Sequence, residues 1–305
     1  MKRIFIFIIS CALVVLSGCS QNAIKTKIPD QPNTLNSNPT DTQSSLKLAT
    51  AVPVIKSMAE ELIANTDIEL LYIPSSRYSI KRVPGWLKRQ PTNSFPTVDA
   101  VAGISSIWPT LDIYPHLRAQ NIHVIPMDLA HAYVPGGERV ALTESTTKTP
   151  HYFWLNPANS LIMLGILHRD VQALVSSAYQ LSETQKTNIE AQLTRNHQRM
   201  TKSLRQLQID LDNQLMSLDT MQVIVDSEDF YELAASTLLP TTQFDEAKES
   251  GFPSLLITTK KSSHKKLKNT PENILVWSID DFAKPRKGSF TERWKNNLSS
   301  LSDLQ

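Results

Sequence analysis

The stretch "SETQKTNIEAQLTRNHQRMTKSLRQLQIDLDNQLMSL", Ser182 to Leu218, runs without a glycine or a proline. Ser182 followed three residues later by Gln185 is a capping-box pattern, in which the two side chains satisfy backbone amides that a helix start leaves orphaned. From there Ile189, Leu193, Met200, Leu204, Leu207, Leu211 and Leu215 keep the spacing of a single helix face. A helix of ~30 residues at ~1.5 Å per residue runs about 45 to 50 Å, longer than a small domain is wide. Such a segment serves as a rigid strut between two bodies.

Working outward, short apolar runs alternate with helical patterns on both sides of the strut, the signature of strand-helix units and parallel sheets. Before it, Val54, Ile55, Met58, Leu62 and Ile63 recur at helical spacing, and "IELLYIPSS", "VDAVAGISS" and "IHVIPMD" read as strands, with a helix including Leu117 before the last. Asn156 and Pro157 then supply an N-cap and a proline at the first helical position, opening a helix through Ile162, Leu167, Val171 and Leu174. After the strut, "MQVIVDS", "SLLITTK" and "NILVWSID" read as strands, and the last helix carries Phe290, Trp294, Leu298 and Leu301. The expected fold is α/β: two parallel-sheet lobes joined by a long rigid helix, with a ligand cleft between them. The lobes are expected at 48–181 and 219–305, joined by the strut at 182–218.

The N-terminal end carries a different message. In "MKRIFIFIISCALVVLSGC", Lys2 and Arg3 precede an apolar run from Ile4 to Leu16 that is too short to span a bilayer as a mature helix, which marks 1–18 as a signal peptide. The run ends in Leu16, Ser17, Gly18 and Cys19, which resembles the bacterial lipobox and implies lipid on Cys19. Cys11 is lost with the leader, so no thiol remains for a disulfide. Residues 19–47 read as the lipidated cysteine and a flexible tether, whose stretch from Gln21 to Leu46, rich in Asn, Thr, Ser, Gln and Pro, has ~26 residues and reaches about 25 to 30 Å. Without Lys2 and Arg3 the 31 basic residues balance the 29 acidic ones, which gives no case for nucleic acid or for a polybasic membrane surface. The expected product is an exported bacterial lipoprotein of the periplasm or cell envelope, monomeric and membrane-anchored.

In open parallel sheets, ligands bind beyond the carboxyl ends of the strands. That rule selects Ser75, Ser76, Arg77 and Tyr78, then Ser105, Ser106 and Trp108, then Asp128 with His131, and in the second lobe Asp226 and the pair Asp280 and Asp281. His151 lies in the loop before the Asn156 cap, so His151, Asp226 and Asp280 form a candidate ligand set for Zn²⁺, Mn²⁺ or Fe²⁺ across the cleft. His116, His168, His197 and His264 read as helix-face or surface histidines, and "KKSSHKKLK", Lys260 to Lys268, as a solvated basic face. The sequence has no Walker loop, dinucleotide glycine pattern, His-Glu-x-x-His or Gly-x-Ser-x-Gly, and eight glycines leave little for a phosphate-cradling loop. No nucleophile is paired with a base, so an enzyme is not expected.

The lipobox, the tether, "PHYFWLNPANSLIM" before a long capped helix, and "VIVDSEDFYELA" together resemble the substrate-binding lipoproteins of metal ABC importers, the zinc and manganese class. The resemblance covers the chain from about Leu48 onward and implies an ABC permease with its ATPase as partners. It also implies three histidines and a carboxylate as ligands. His151 matches one in type, although one extra residue separates it from Trp154; Asp226 stands where a histidine is typical, and Asp280 or Asp281 matches the closing carboxylate. The first histidine of the family falls near Ser76, Arg77 and Tyr78, where there is none, leaving His131 or Asp128 as a substitute. A metal ion or metal complex is the expected cargo. The alternative is a degenerate, metal-free member that binds or scaffolds a protein, or binds an anionic small molecule through Arg77.

Overall fold

The computed structural model describes residues 45–143, 150–260, 267 and 269–304. The leader, Cys19, the tether up to residue 44, His264 and most of the Lys260 to Lys268 run lie outside the described residues.

The first parallel sheet contains β1 (Leu46–Thr50), β2 (Ile68–Tyr72), β3 (Ala100–Gly103) and β4 (Ile125–Asp128), in the order β2-β1-β3-β4. The second contains β5 (Gln222–Val225), β6 (Thr241–Thr242), β7 (Ser254–Thr258) and β8 (Ile274–Ser278), in the order β6-β5-β7-β8. Both sheets therefore repeat one topology, with the first strand of each set between the second and third. β1 begins at Leu46, inside the stretch read as tether, because Leu46 and Leu48 are buried and the Lys47 amide donates to Asp99 Oδ2 at 2.7 Å. The short β6 carries too few apolar residues to stand out in the sequence.

Helices α1 (Pro53–Leu62), α2 (Val83–Leu87), α3 (Tyr114–Arg118) and α4 (Pro157–Ser177) belong to the first half, and α6 (Tyr231–Ser236), α7 (Phe244–Ser250) and α8 (Phe290–Ser302) to the second. Between them α5 (Glu183–Ser217) spans 35 residues. Its start is the expected capping box, with Ser182 Oγ accepting from the Gln185 amide and Gln185 reaching back to the Ser182 amide. The α4 start is likewise as read: Asn156 Oδ1 accepts from the Ala158 amide at 3.0 Å, with Pro157 at the first position.

The seven apolar residues of the α5 stripe are all buried, each worth roughly 1.5–3 kcal/mol of transfer free energy. Asn196 fills the gap in that stripe between Leu193 and Met200 and is fully buried. Its Nδ2 donates to the Leu62 and Ala64 carbonyls, both at 2.8 Å, so it seals the C-terminal end of α1 onto the strut. A buried amide is tolerated only when so partnered.

One continuous apolar cluster runs from Leu46 through Trp154, Leu204 and Trp277 to Leu301. Residues of both sheets thus share a core with α4, α5 and α8, and among the described residues Ile224, Ala247, Leu256, Leu267 and Ile274 form a separate small buried cluster. The carboxyl ends of β2, β3 and β4 and of β5 and β8 are where the functional residues are sought. Among the described residues no helix is long and apolar enough to cross a membrane.

Candidate functional site

His151 sits in the loop between Pro150 and the 3₁₀ turn Phe153–Leu155 that leads into α4. The turn is driven inward by its aromatic run: Phe153 and Trp154 are fully buried, and Trp154 stacks on Tyr152 at 4.8 Å. Trp154 Nε1 donates to the Asp281 carbonyl at 3.0 Å, and the Tyr152 amide donates to the Asp229 carbonyl at 3.0 Å. The loop is therefore pinned to the ends of both β5 and β8.

His151 is only 5% exposed, its ring lies edge-on to Tyr231 at 5.3 Å, and among the described residues neither ring nitrogen has a hydrogen-bond partner. A buried polar atom left without a partner costs about 1–3 kcal/mol, so an imidazole held in this way is a poor structural choice and a ready ligand.

The other two residues of the expected set have protein partners. Asp226 follows β5 as expected, but Lys260 Nζ donates to both of its carboxylate oxygens at 2.8 and 2.5 Å, and Thr258 Oγ1 donates at 2.8 Å. Asp280 follows β8, and Arg293 from α8 grips it with two bonds, Nε to Oδ2 at 2.8 Å and Nη2 to Oδ1 at 2.9 Å. Arg293 is itself buried, donates from Nη1 to Ser57 Oγ on α1 at 2.7 Å, and lies 4.2 Å from the centre of the Phe282 ring. Burial raises the affinity of the Asp280 carboxyl for its proton, but the Arg293 bonds and charge, the Phe282 amide and Arg286 outweigh it and hold the carboxyl below the usual range. Phe282 is held at φ 56°, a costly left-handed conformation for a bulky side chain, and its amide donates to Asp280 Oδ1 at 3.1 Å. Asp280 is thus the anchor of a tight turn.

Asp281, the alternative to Asp280, is pushed above the usual carboxyl range by burial and by the charges of Asp280 and Asp229, against the opposing Ala283 amide and Arg286. Burial, followed by the charges of Asp229 and Asp281, also raises the Tyr152 hydroxyl. Asp229, in the 3₁₀ turn Glu228–Phe230 that leads into α6, is met by Lys81 from the first half, with Nζ to Oδ2 at 2.6 Å. Close by, the Ile80 amide donates to the Ala283 carbonyl at 2.8 Å. Lys81 thus carries a cation from the loop after β2 to the Asp229 carboxylate and over the Tyr152 ring, 5.4 Å from its centre.

Among the described residues no group of three or more His, Cys, Asp or Glu is placed to hold a metal ion, so His151, Asp226 and Asp280 are not gathered into one coordination shell. The proposed substitutes are also committed elsewhere or exposed. Asp128 is buried and accepts from Ser105 Oγ, the Ser106 amide and the Ala130 amide at 3.1, 2.6 and 2.9 Å, while His131 is exposed on a bridge to Arg139. In the first loop, exposed Arg77 turns onto Tyr78, donating to its hydroxyl at 3.1 Å.

Three features escaped the sequence reading: Asp229, Lys81 and Arg293. Asp229 was visible in "VDSEDFYELA" as a second acid one loop further than the strand-end rule reaches. Lys81 and Arg293 lie 148 and 13 residues from their partners, and no local pattern joins such pairs.

No family model and no curated protein matches the sequence. Solved structures do, at low identity. FpvC of Pseudomonas aeruginosa, a solute-binding protein solved with Mn²⁺, shares 12% identity at a TM-score of 0.56, covering 86% of this chain and 98% of its own. AdcAII of Streptococcus pneumoniae gives 13% and 0.57 over 85% and 98%, and ZnuA gives 12% and 0.53 over 86% and 98%. Others were solved with Zn(II) or Ni²⁺. The chain therefore has the fold of the two-lobed metal-binding solute-binding proteins represented by ZnuA, AdcAII and FpvC.

Proposed function

We propose that this chain is the substrate-binding protein of an ABC importer, exported and held at a membrane through lipid on Cys19. It takes up a divalent metal ion, zinc, manganese or iron, or a complex of one, through His151 and delivers it to the permease and its ATPase. The observation that carries this reading is the buried imidazole of His151 with both nitrogens unpartnered among the described residues, in the loop where the sequence resemblance expects a ligand. Asp226 joins His151 only by releasing Lys260, and Asp280 only by releasing Arg293.

The pairing of Asp226, Asp229 and Asp280 with Lys260, Lys81 and Arg293 supports a second reading, a metal-free member that keeps the scaffold with built-in cations. Thermal melts of the fragment from Ser20 onward, with metal analysis, separate the two. A ligand at 100 times its dissociation constant stabilises by ~2.7 kcal/mol, which raises the melting temperature of a domain of this size by about 5–10 °C. Such a rise with submillimolar Zn²⁺, Mn²⁺ or Fe²⁺ supports the first reading; no rise with any of them supports the second.

A further inference from the structure

We infer that a second site lies between α1, α5 and the loop before α8, and that its ligand is a small multivalent oxyanion, a polycarboxylate or a phosphate compound. It deepens the metal-free reading without depending on His151. A cleft of about 830 Å³ opens here, lined among others by Lys56, Ser76, Arg199, Arg286 and Lys287. That volume holds a molecule of drug size.

The charges in the cleft are arranged for an anion. Arg199 projects from the strut with no ion pair or hydrogen bond to any described residue, and so does Lys287 from the loop before α8. Arg286 approaches Asp280 only to 4.0 Å, and that carboxylate is already taken by both arms of Arg293. Of the two acids on the walls, Glu60 is ion-paired with Lys56, and Glu61 keeps its charge but turns both oxygens to Thr291, accepting from its amide at 2.9 Å and its hydroxyl at 2.6 Å. The α8 N-terminus is therefore capped from within and plays no part. What remains is three exposed guanidinium and ammonium groups from two separate elements lining one concavity, with Ser76 on its wall. Arginine suits forked carboxylate and phosphate groups, and three cations converging on one volume favour a ligand of two or more negative charges over a monovalent one.

The test is calorimetry on the fragment from Ser20 onward, stripped of metal, with citrate, pyrophosphate and inorganic phosphate, at an ionic strength held constant with sodium chloride. Saturable binding of citrate or pyrophosphate is expected, about tenfold weaker in Arg199→Gln or Lys287→Gln and lost in the double variant, whose response to metal ions stays that of wild type. No saturable binding at millimolar anion, or equal binding in the double variant, overturns the site. Cosedimentation with phosphatidylglycerol vesicles that citrate does not compete away also overturns it, since the cations then serve a lipid surface.

Discussion

Replacing Asp280 by alanine tests whether this residue holds the fold or a metal. Its partner Arg293 has a side chain only 3% exposed and Asp280 one of 15%, so truncation leaves a guanidinium buried with one remaining partner, Ser57 Oγ, besides the Lys284 carbonyl at 3.4 Å. Breaking a buried ion pair by removing one member costs ~3–5 kcal/mol. Loss of the bond that holds Phe282 in its left-handed turn adds to this. Against a typical stability of about 5–15 kcal/mol this is a large fraction, and the melting temperature should fall by about 6–20 °C. The assay is urea unfolding in excess chelator, followed by tryptophan fluorescence, since Trp154, Trp277 and Trp294 are all buried. The double variant Asp280→Leu with Arg293→Met should recover most of the loss, because both charges are then gone. A loss below about 1 kcal/mol in chelator, with the metal response abolished, would refute the reasoning and make Asp280 a ligand.

Three further outcomes follow from the same geometry. His151→Phe removes two buried unpartnered nitrogens, so without metal it should be as stable as wild type or up to about 2 kcal/mol more so, while losing any metal-induced rise in melts. Asn196→Ala should cost about 2–3 kcal/mol in urea titrations, because it strips two carbonyls at the end of α1 of their donor. His168 on α4 stacks on His197 of α5 at 4.1 Å; burial, then the His197 charge, lower it from 6.5 to about 4. Since the unfolded chain binds the proton more readily, this part of the stability is complete above pH 6.5 and is lost as pH falls toward about 4. It should amount to about 1–3 kcal/mol over that window, and His168→Phe should flatten the slope of stability against pH there.

Much of the fold was legible because it rests on periodicity and caps. The stripe from Ile189 to Leu215, the Ser182 and Gln185 box, and the Asn156 and Pro157 start are local signals, and each has the expected hydrogen bonds or burial. β1 and β6 were both missed, because pairing with neighbours, and not their own composition, makes them strands. The site was less legible. Rules of position find an aspartate after a strand, as they did for Asp226 and Asp280, but what such a carboxylate does depends on the cation that reaches it. Lys260 lies 34 residues on, and Arg293 arrives on a different helix. His151 was found because its loop is written in an unbroken local string, from Pro150 to Pro157. That its nitrogens lack partners is a property of packing alone.

The central claim, that cargo touches His151, is tested most directly by calorimetric titration of Zn²⁺, Mn²⁺ and Fe²⁺ into the metal-free fragment from Ser20 onward, in wild type and in His151→Ala. Saturable binding of at least one ion to wild type, weakened tenfold or more in the variant, is the expected result. Equal binding by both proteins, or binding by neither, would contradict it.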